Sequence, residues 1–173
     1  MQRVYFANHA SHLDTLVIWA SLPLALRART RPVAAADYWD RPGLRRWLAW
    51  RVLQALMVTR GGAGSRDALH QLIAALDEGD SLIIFPEGTR GDGGGVGELR
   101  PGLYHIARER PAVELVPVFL DNLNRILPKG EYLPVPLIGR VTFGGPIRLE
   151  AGEDRHAFLQ RARDALLNLG DRR

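Results

Sequence analysis

Asn8-His9-Ala10-Ser11-His12-Leu13-Asp14 follows directly on the apolar run Val4-Tyr5-Phe6-Ala7 and leads into the longer apolar stretch Leu13 to Leu26. The short aromatic and branched run suits a buried strand, while the second stretch is too long for one. The chain therefore passes from strand to helix near His9. Ser11 and Asp14 form a capping-box-like pair, with Ser11 as N-cap and Asp14 at the third helical position. Inside one regular helix, about 100° per residue would leave His9 and Asp14 roughly 140° apart, on different faces. With His9 just ahead of the helix, its ring can fold back over the first turn and meet Asp14.

Two readings of this pair stand side by side. In one, Asp14 caps the helix and His9 is a polar loop residue. In the other, Asp14 accepts a hydrogen bond from one ring nitrogen of His9, which fixes the tautomer and raises the basicity of the second nitrogen. The spacing alone does not choose between them.

A second stretch bears on the choice. Ser81-Leu82-Ile83-Ile84-Phe85 reads as a buried strand, and it delivers Pro86-Glu87-Gly88-Thr89-Arg90: a carboxylate, a glycine and a guanidinium at a strand end. Elsewhere elements alternate. Arg27 to Pro32 reads as a basic turn and Val33 to Ala36 as a short strand. Leu44 to Leu53 reads as a helix carrying Trp47 and Trp50 among arginines, either an interfacial helix or one packing its tryptophans inward. Ala55 to Thr59 is strand-like. A helix follows from a Ser65 cap to Glu78, closing at Gly79.

Gly91 to Gly97, with five glycines in seven residues, reads as a mobile loop, either a lid or a plain connection. It matches no dinucleotide or P-loop fingerprint. Pro101-Gly102 opens a helix to Arg108, and Leu115 to Leu120 is a buried strand. Asn122 to Pro136 is irregular, Arg140 to Phe143 is strand-like, and Asp154 to Leu169 is an amphipathic terminal helix.

This alternation predicts one α/β domain over residues 1–173, with a central mostly parallel or mixed sheet flanked by helices. Both candidate motifs stand where a strand ends, the edge at which open α/β sheets place ligands. At 173 residues the chain is long enough for a single substantial core. The absence of cysteine excludes disulfides, thiolate metal sites and a cysteine nucleophile. A net charge of +4, carried by arginine since Lys129 is the only lysine, suits an anionic partner. No secretory signal is read at the N-terminus, and the Thr15–Leu26 stretch falls short of the ~20 residues of a membrane span.

The two motifs resemble the first and third signature blocks of the glycerolipid acyltransferases, the family of 1-acylglycerol-3-phosphate acyltransferases. Arg60, after the strand Met57-Val58-Thr59, is similar to the second block, and Val116-Pro117-Val118 to the fourth. The resemblance runs from about Tyr5 to Ile147. It implies that His9 is the catalytic base and Asp14 its orienting partner. It also implies that Arg60 and Arg90 hold an acceptor phosphate, that Glu87, Gly88 and Thr89 belong to the same substrate-binding region, and that backbone N–H groups near Gly88 face an oxyanion. The implied reaction moves a fatty acyl group from acyl-CoA, or acyl carrier protein, to the free hydroxyl of a lysophospholipid, foremost 1-acylglycerol 3-phosphate.

Without a Gly-x-Ser-x-Gly elbow or a cysteine, direct transfer is expected in place of an acyl-enzyme. No metal or bound cofactor is expected, and no nucleic-acid partner, since the arginines form no recognisable binding motif. The other histidines, His12, His70, His105 and His156, are assigned no chemistry. Family members often carry hydrophobic sequence ahead of the histidine block, where only seven residues precede Asn8 here, and Phe-Lys where Leu99-Arg100 stands. The expected location is the cytoplasmic face of a membrane, held peripherally against anionic lipid with no transmembrane segment. The alternatives are the same chemistry on glycerol 3-phosphate, another lysophospholipid or a lyso-aminolipid, or a non-catalytic basic membrane-binding module.

Overall fold

A computed structural model describes residues 2–9, 11, 13–36, 47, 51, 53–59, 64–89, 95–121 and 139–171. In these, β1 (Arg3–Ala7) is followed by α1 (Asp14–Ser21), α2 (Leu24–Arg27), β2 (Thr30–Ala35) and β3 (Leu56–Val58). Then come α3 (Gly64–Asp77), β4 (Ser81–Ile84), α4 (Gly102–Glu109), β5 (Glu114–Asp121), β6 (Arg140–Phe143) and α5 (Arg155–Gly170). The expected Leu44–Leu53 helix, apart from Trp47, Arg51 and Leu53, and the irregular 122–136 segment lie outside the described residues.

The strands form one sheet in the order β3-β2-β4-β1-β5-β6, parallel throughout except for β6, which runs antiparallel to β5. The single mixed α/β sheet expected from the alternation is therefore present. Side-chain alternation along the strands divides the core. Val4, Phe6, Leu82, Ile84 and Leu115 face α3, α4 and α5, where Leu76, Ile106, Phe158 and Leu166 meet them. Tyr5, Ile83, Val116 and Val118 face the other way, against Ile18 and Leu22. β1 lies at the centre of this arrangement, so the residue that follows it emerges from the middle of the sheet's C-terminal edge.

Local chemistry sets the element ends. The apolar Leu13–Leu26 stretch is not one helix, because Pro23 lacks an N–H and drives Leu22 to extended backbone, φ −76° and ψ 143°. α3 ends as expected at Gly79, whose φ of +90° allows its N–H to reach the Leu76 carbonyl at 3.0 Å and that of Asp80 to reach Ala75 at 3.1 Å. Asp154 caps α5 by accepting from the Ala157 N–H at 2.9 Å.

Two expectations are corrected. β2 begins at Thr30, so Arg31 and Pro32 are strand residues, paired with Leu82 and Ile83 of β4. Pro32 stands where the pairing passes from β4 to β3, which starts at Val33, and there a missing N–H is tolerated. The glycine-rich segment is described only from Gly95 to Gly97, residues 91–94 lying outside the described residues, and at this end it is held in place. Val96 is buried in the core, and Gly97 donates its N–H to Glu87 at 2.9 Å.

Candidate active site

The C-terminal edge of β1 and β4 brings the two motifs together. Because β1 and β4 are parallel neighbours with Phe6 opposite Ile84, the chain segments that leave them emerge side by side. Asn8 pins the first. Its side-chain amide donates to the Leu120 carbonyl at 3.0 Å and accepts from the Leu120 N–H at 2.8 Å, extending the β1–β5 ladder by one rung. His9 is thereby launched from a fixed point.

From there the ring turns back onto the first turn of α1. His9 Nδ1 lies 2.8 Å from Asp14 Oδ2, with the Asp14 side chain fully buried and that of His9 20% exposed. The same carboxylate oxygen accepts from the Ser11 N–H at 2.9 Å. A carboxylate suits a helix N-terminus, where backbone N–H groups and the helix dipole favour negative charge. Ser11 is not the N-cap, however. α1 starts at Asp14, with Leu13 before it, because the Asp14 N–H closes a turn onto the Ser11 carbonyl at 3.3 Å. Only the backward half of the expected capping box forms, and it is this half that holds Asp14 beneath the imidazole.

An acceptor facing Nδ1 places the ring hydrogen on that nitrogen and leaves the Nε2 lone pair available. Nε2 has no partner among the described residues. The Phe85 ring stacks on the imidazole at 4.2 Å and 24°, covering one face and limiting its rotation.

Glu87 joins the two motifs. Its Oε1 accepts from the His9 N–H at 2.9 Å and its Oε2 from the Gly97 N–H at 2.9 Å. The buried carboxylate thus grips two backbone segments. Gly88 follows with φ +74°, and the Arg100 side chain lies where its Cβ would be. Arg100 donates from Nε to the Glu87 carbonyl at 3.0 Å and from its backbone N–H to Pro86 at 2.8 Å. The Gly88 N–H is held by the Phe85 carbonyl at 3.0 Å, so it is not an open oxyanion donor in this conformation.

Of the remaining expected site residues, Thr89 is exposed at the same edge. Arg60, Arg90 and His12 lie outside the described residues. Thr59, which precedes Arg60, leaves β3 at this same edge; with β2 intervening, it departs about 10 Å from β4 at the usual strand spacing. Sequence reasoning names Asn8, Phe85 and Arg100 within or beside the motifs but gives them no role in this site. An asparagine or an aromatic at a strand end is a common local feature, and what distinguishes these is the neighbour across the sheet. Trp47 is 56% exposed, which removes the reading that packs it into the core; Trp50 lies outside the described residues.

A histidine held by a buried carboxylate at the C-terminal edge of a mostly parallel sheet, tied by a glutamate to a Phe-Pro-Glu-Gly-Thr-Arg turn, defines the class. The chain belongs to the acyltransferase family, whose model matches residues 2–121. The resemblance to the glycerolipid acyltransferases read from the motifs is borne out.

Particular relatives follow. The chain is 28% identical over 128 residues to a chloroplast 1-acyl-sn-glycerol-3-phosphate acyltransferase of Arabidopsis thaliana, covering 73% of this chain and 34% of that protein. It is 33% identical over 90 residues to the lyso-ornithine lipid O-acyltransferase of Pseudomonas aeruginosa, covering 52% of this chain and 32% of that one. Its fold is similar to the crystal structure of the 1-acyl-sn-glycerophosphate acyltransferase PlsC from Thermotoga maritima, with a TM-score of 0.77 and 21% identity over 99% of this chain and 68% of that one. The chain spans about a third of the length of the curated relatives it matches.

Proposed function

We propose that the chain transfers a fatty acyl group from a thioester donor, acyl-CoA or acyl carrier protein, to the free hydroxyl of a lysophospholipid, foremost 1-acylglycerol 3-phosphate. The observation that carries this reading is the His9–Asp14 contact of 2.8 Å, with the backbone of the same histidine held by Glu87 of the second motif. An alcohol is a poor nucleophile at neutral pH, while a thioester is already activated. What such a reaction needs from a protein is a base on the alcohol.

In the proposed step, His9 Nε2 takes the hydroxyl proton as the alcohol oxygen attacks the thioester carbonyl. The C–O bond forms, the tetrahedral oxyanion collapses, and the C–S bond breaks. The departing thiolate then takes the proton back from the imidazolium. No bond to the protein is made at any stage. Arg60 and Arg90 would bind the acceptor phosphate, since guanidinium offers paired N–H donors matched to phosphate oxygens. A peripheral contact with anionic lipid is proposed through the exposed Trp47 and the net charge of +4.

The likeness to a lyso-ornithine lipid acyltransferase favours a second reading, in which the acceptor is a lyso-aminolipid without phosphate. A panel of donors and acceptors followed by lipid mass spectrometry tests both. The first reading expects diacylglycerol phosphate from lysophosphatidate, with phosphate-free acceptors used poorly. Equal use of a phosphate-free acceptor would remove Arg60 and Arg90 from phosphate binding. No product from any pair would reject the enzymatic reading in favour of a membrane-binding module.

A further inference from the structure

The peptide unit between Val96 and Gly97 is gripped from both sides. On one side Arg163, a half-buried residue of α5, donates from Nε and Nη2 to the Val96 carbonyl at 3.1 and 2.8 Å, and from Nε to the Gly97 carbonyl at 3.2 Å. On the other side the N–H of that same peptide unit, belonging to Gly97, reaches Glu87 Oε2 at 2.9 Å. The opposite oxygen of Glu87 accepts from the His9 N–H at 2.9 Å. Gly97 has room for no side chain on this path, since a Cβ would stand 2.8 Å from Glu87 Oε2.

We propose that Arg163 is a positioning residue for His9, acting through the Val96–Gly97 peptide unit and the Glu87 carboxylate. The inference rests on His9 being the base. A trans peptide is planar, with its C=O and N–H pointing in opposite directions, so a pull on the carbonyl oxygen fixes where the N–H points. A cationic donor on that oxygen also polarises the unit and strengthens its N–H as a donor. Arg163 therefore aims and strengthens the bond that orients Glu87, and Glu87 in turn holds the backbone from which the imidazole reaches Asp14. The helix carrying Arg163 lies beyond the segment matched by the family, and by this route it shapes the site without touching substrate.

The test compares Arg163→Ala, Arg163→Lys and Glu87→Gln in the full chain, with Arg161→Ala as control. Arg161 is on the same helix but bonds to Glu153 and the Arg148 carbonyl, away from the peptide unit concerned. The proposal expects Arg163→Ala to lower kcat by about 10- to 100-fold with little change in KM, the scale of a small misplacement of a reacting group. Arg163→Lys should recover part of the loss. Combining Arg163→Ala with Glu87→Gln should cost little more than either alone. In ¹⁵N-resolved spectra the His9 amide should move upfield in Arg163→Ala and in Glu87→Gln, and stay in place in Arg161→Ala.

Arg163→Ala with a lowered Tm but with wild-type kcat and an unmoved His9 amide would overturn the proposal, as would full additivity of the pair. Should Arg163→Ala fail to fold, Arg163→Lys carries the same comparison. Inactivity of the wild type, or full activity of His9→Ala, would overturn the functional reading; the His9 amide would then still decide whether Arg163 reaches it.

Discussion

One nitrogen of the His9 ring faces Asp14, so a substitution at Asp14 acts on the proton of the ring more than on the fold. Asp14 Oδ2 is shared by His9 Nδ1 and the Ser11 N–H, so in Asp14→Asn the amide oxygen can keep both contacts while the negative charge beside the imidazole is removed. If His9 is the base, the imidazolium formed as Nε2 takes the proton then lacks its counter-charge, and the proton transfer is slowed. The expected outcome is a kcat lower by about 10²–10⁴-fold with substrate KM little changed, measured by steady-state thiol release. An unchanged kcat would mean that Asp14 is a helix-start residue only. At this scale the pairing of His9 with Asp14 was legible as one of two readings, since a histidine just ahead of the helix can reach Asp14 but the spacing alone also allows Asp14 to act only as a cap. The bonds from Asn8 to Leu120 and from Glu87 to Gly97 were not, because each joins a residue to backbone whose position only the folded sheet defines.

Among the elements, α5 shows how surface charge supports a helix. Arg161 donates to Glu153 at 2.8 and 2.6 Å, and this bond, opposed by burial, holds the Glu153 carboxyl below its ordinary range. The Ala157 N–H does the same for the capping Asp154, and Arg110 for Asp77. As pH falls, the unfolded chain takes up these protons first. The stability these groups supply is therefore complete above the ordinary carboxylate range and is lost as pH falls through that range and below it. Arg161→Ala is expected to lower Tm at neutral pH and to make its fall on the acid side shallower, as followed by thermal denaturation across pH. A parallel displacement of the two curves would remove Glu153 from the account. Elements rich in apolar residues, such as β1, β4, β5 and α5, were readable from period alone. β2 was readable only in its second half, because Arg31 and Pro32 look like turn residues until the partners that flank them are known.

Across the molecule, β1 runs down the middle of the sheet and its parallel neighbours all release their chains at one edge. That topology is what allows a histidine near the N-terminus to meet a turn some eighty positions later, with the His9 N–H on Glu87 at 2.9 Å. The alternation of elements made the α/β class legible, but the strand order depends on long-range pairing that no local pattern encodes. No helix among the described residues is long and apolar enough to cross a membrane. The net charge of +4 and the exposed Trp47 lead to the expectation that the chain binds vesicles containing anionic lipid, less tightly as salt rises and less tightly as Trp47→Ala. Co-sedimentation measures both effects, and binding indifferent to lipid charge and to Trp47 would count against a peripheral membrane contact.

The most direct measurement is single-turnover thiol release from acyl-CoA in the presence of lysophosphatidate, for the wild type and for His9→Ala at matched folded concentration. With His9 as the base, the variant should be slower by about 10²–10⁴-fold. Equal rates would show that the imidazole takes no part in the transfer.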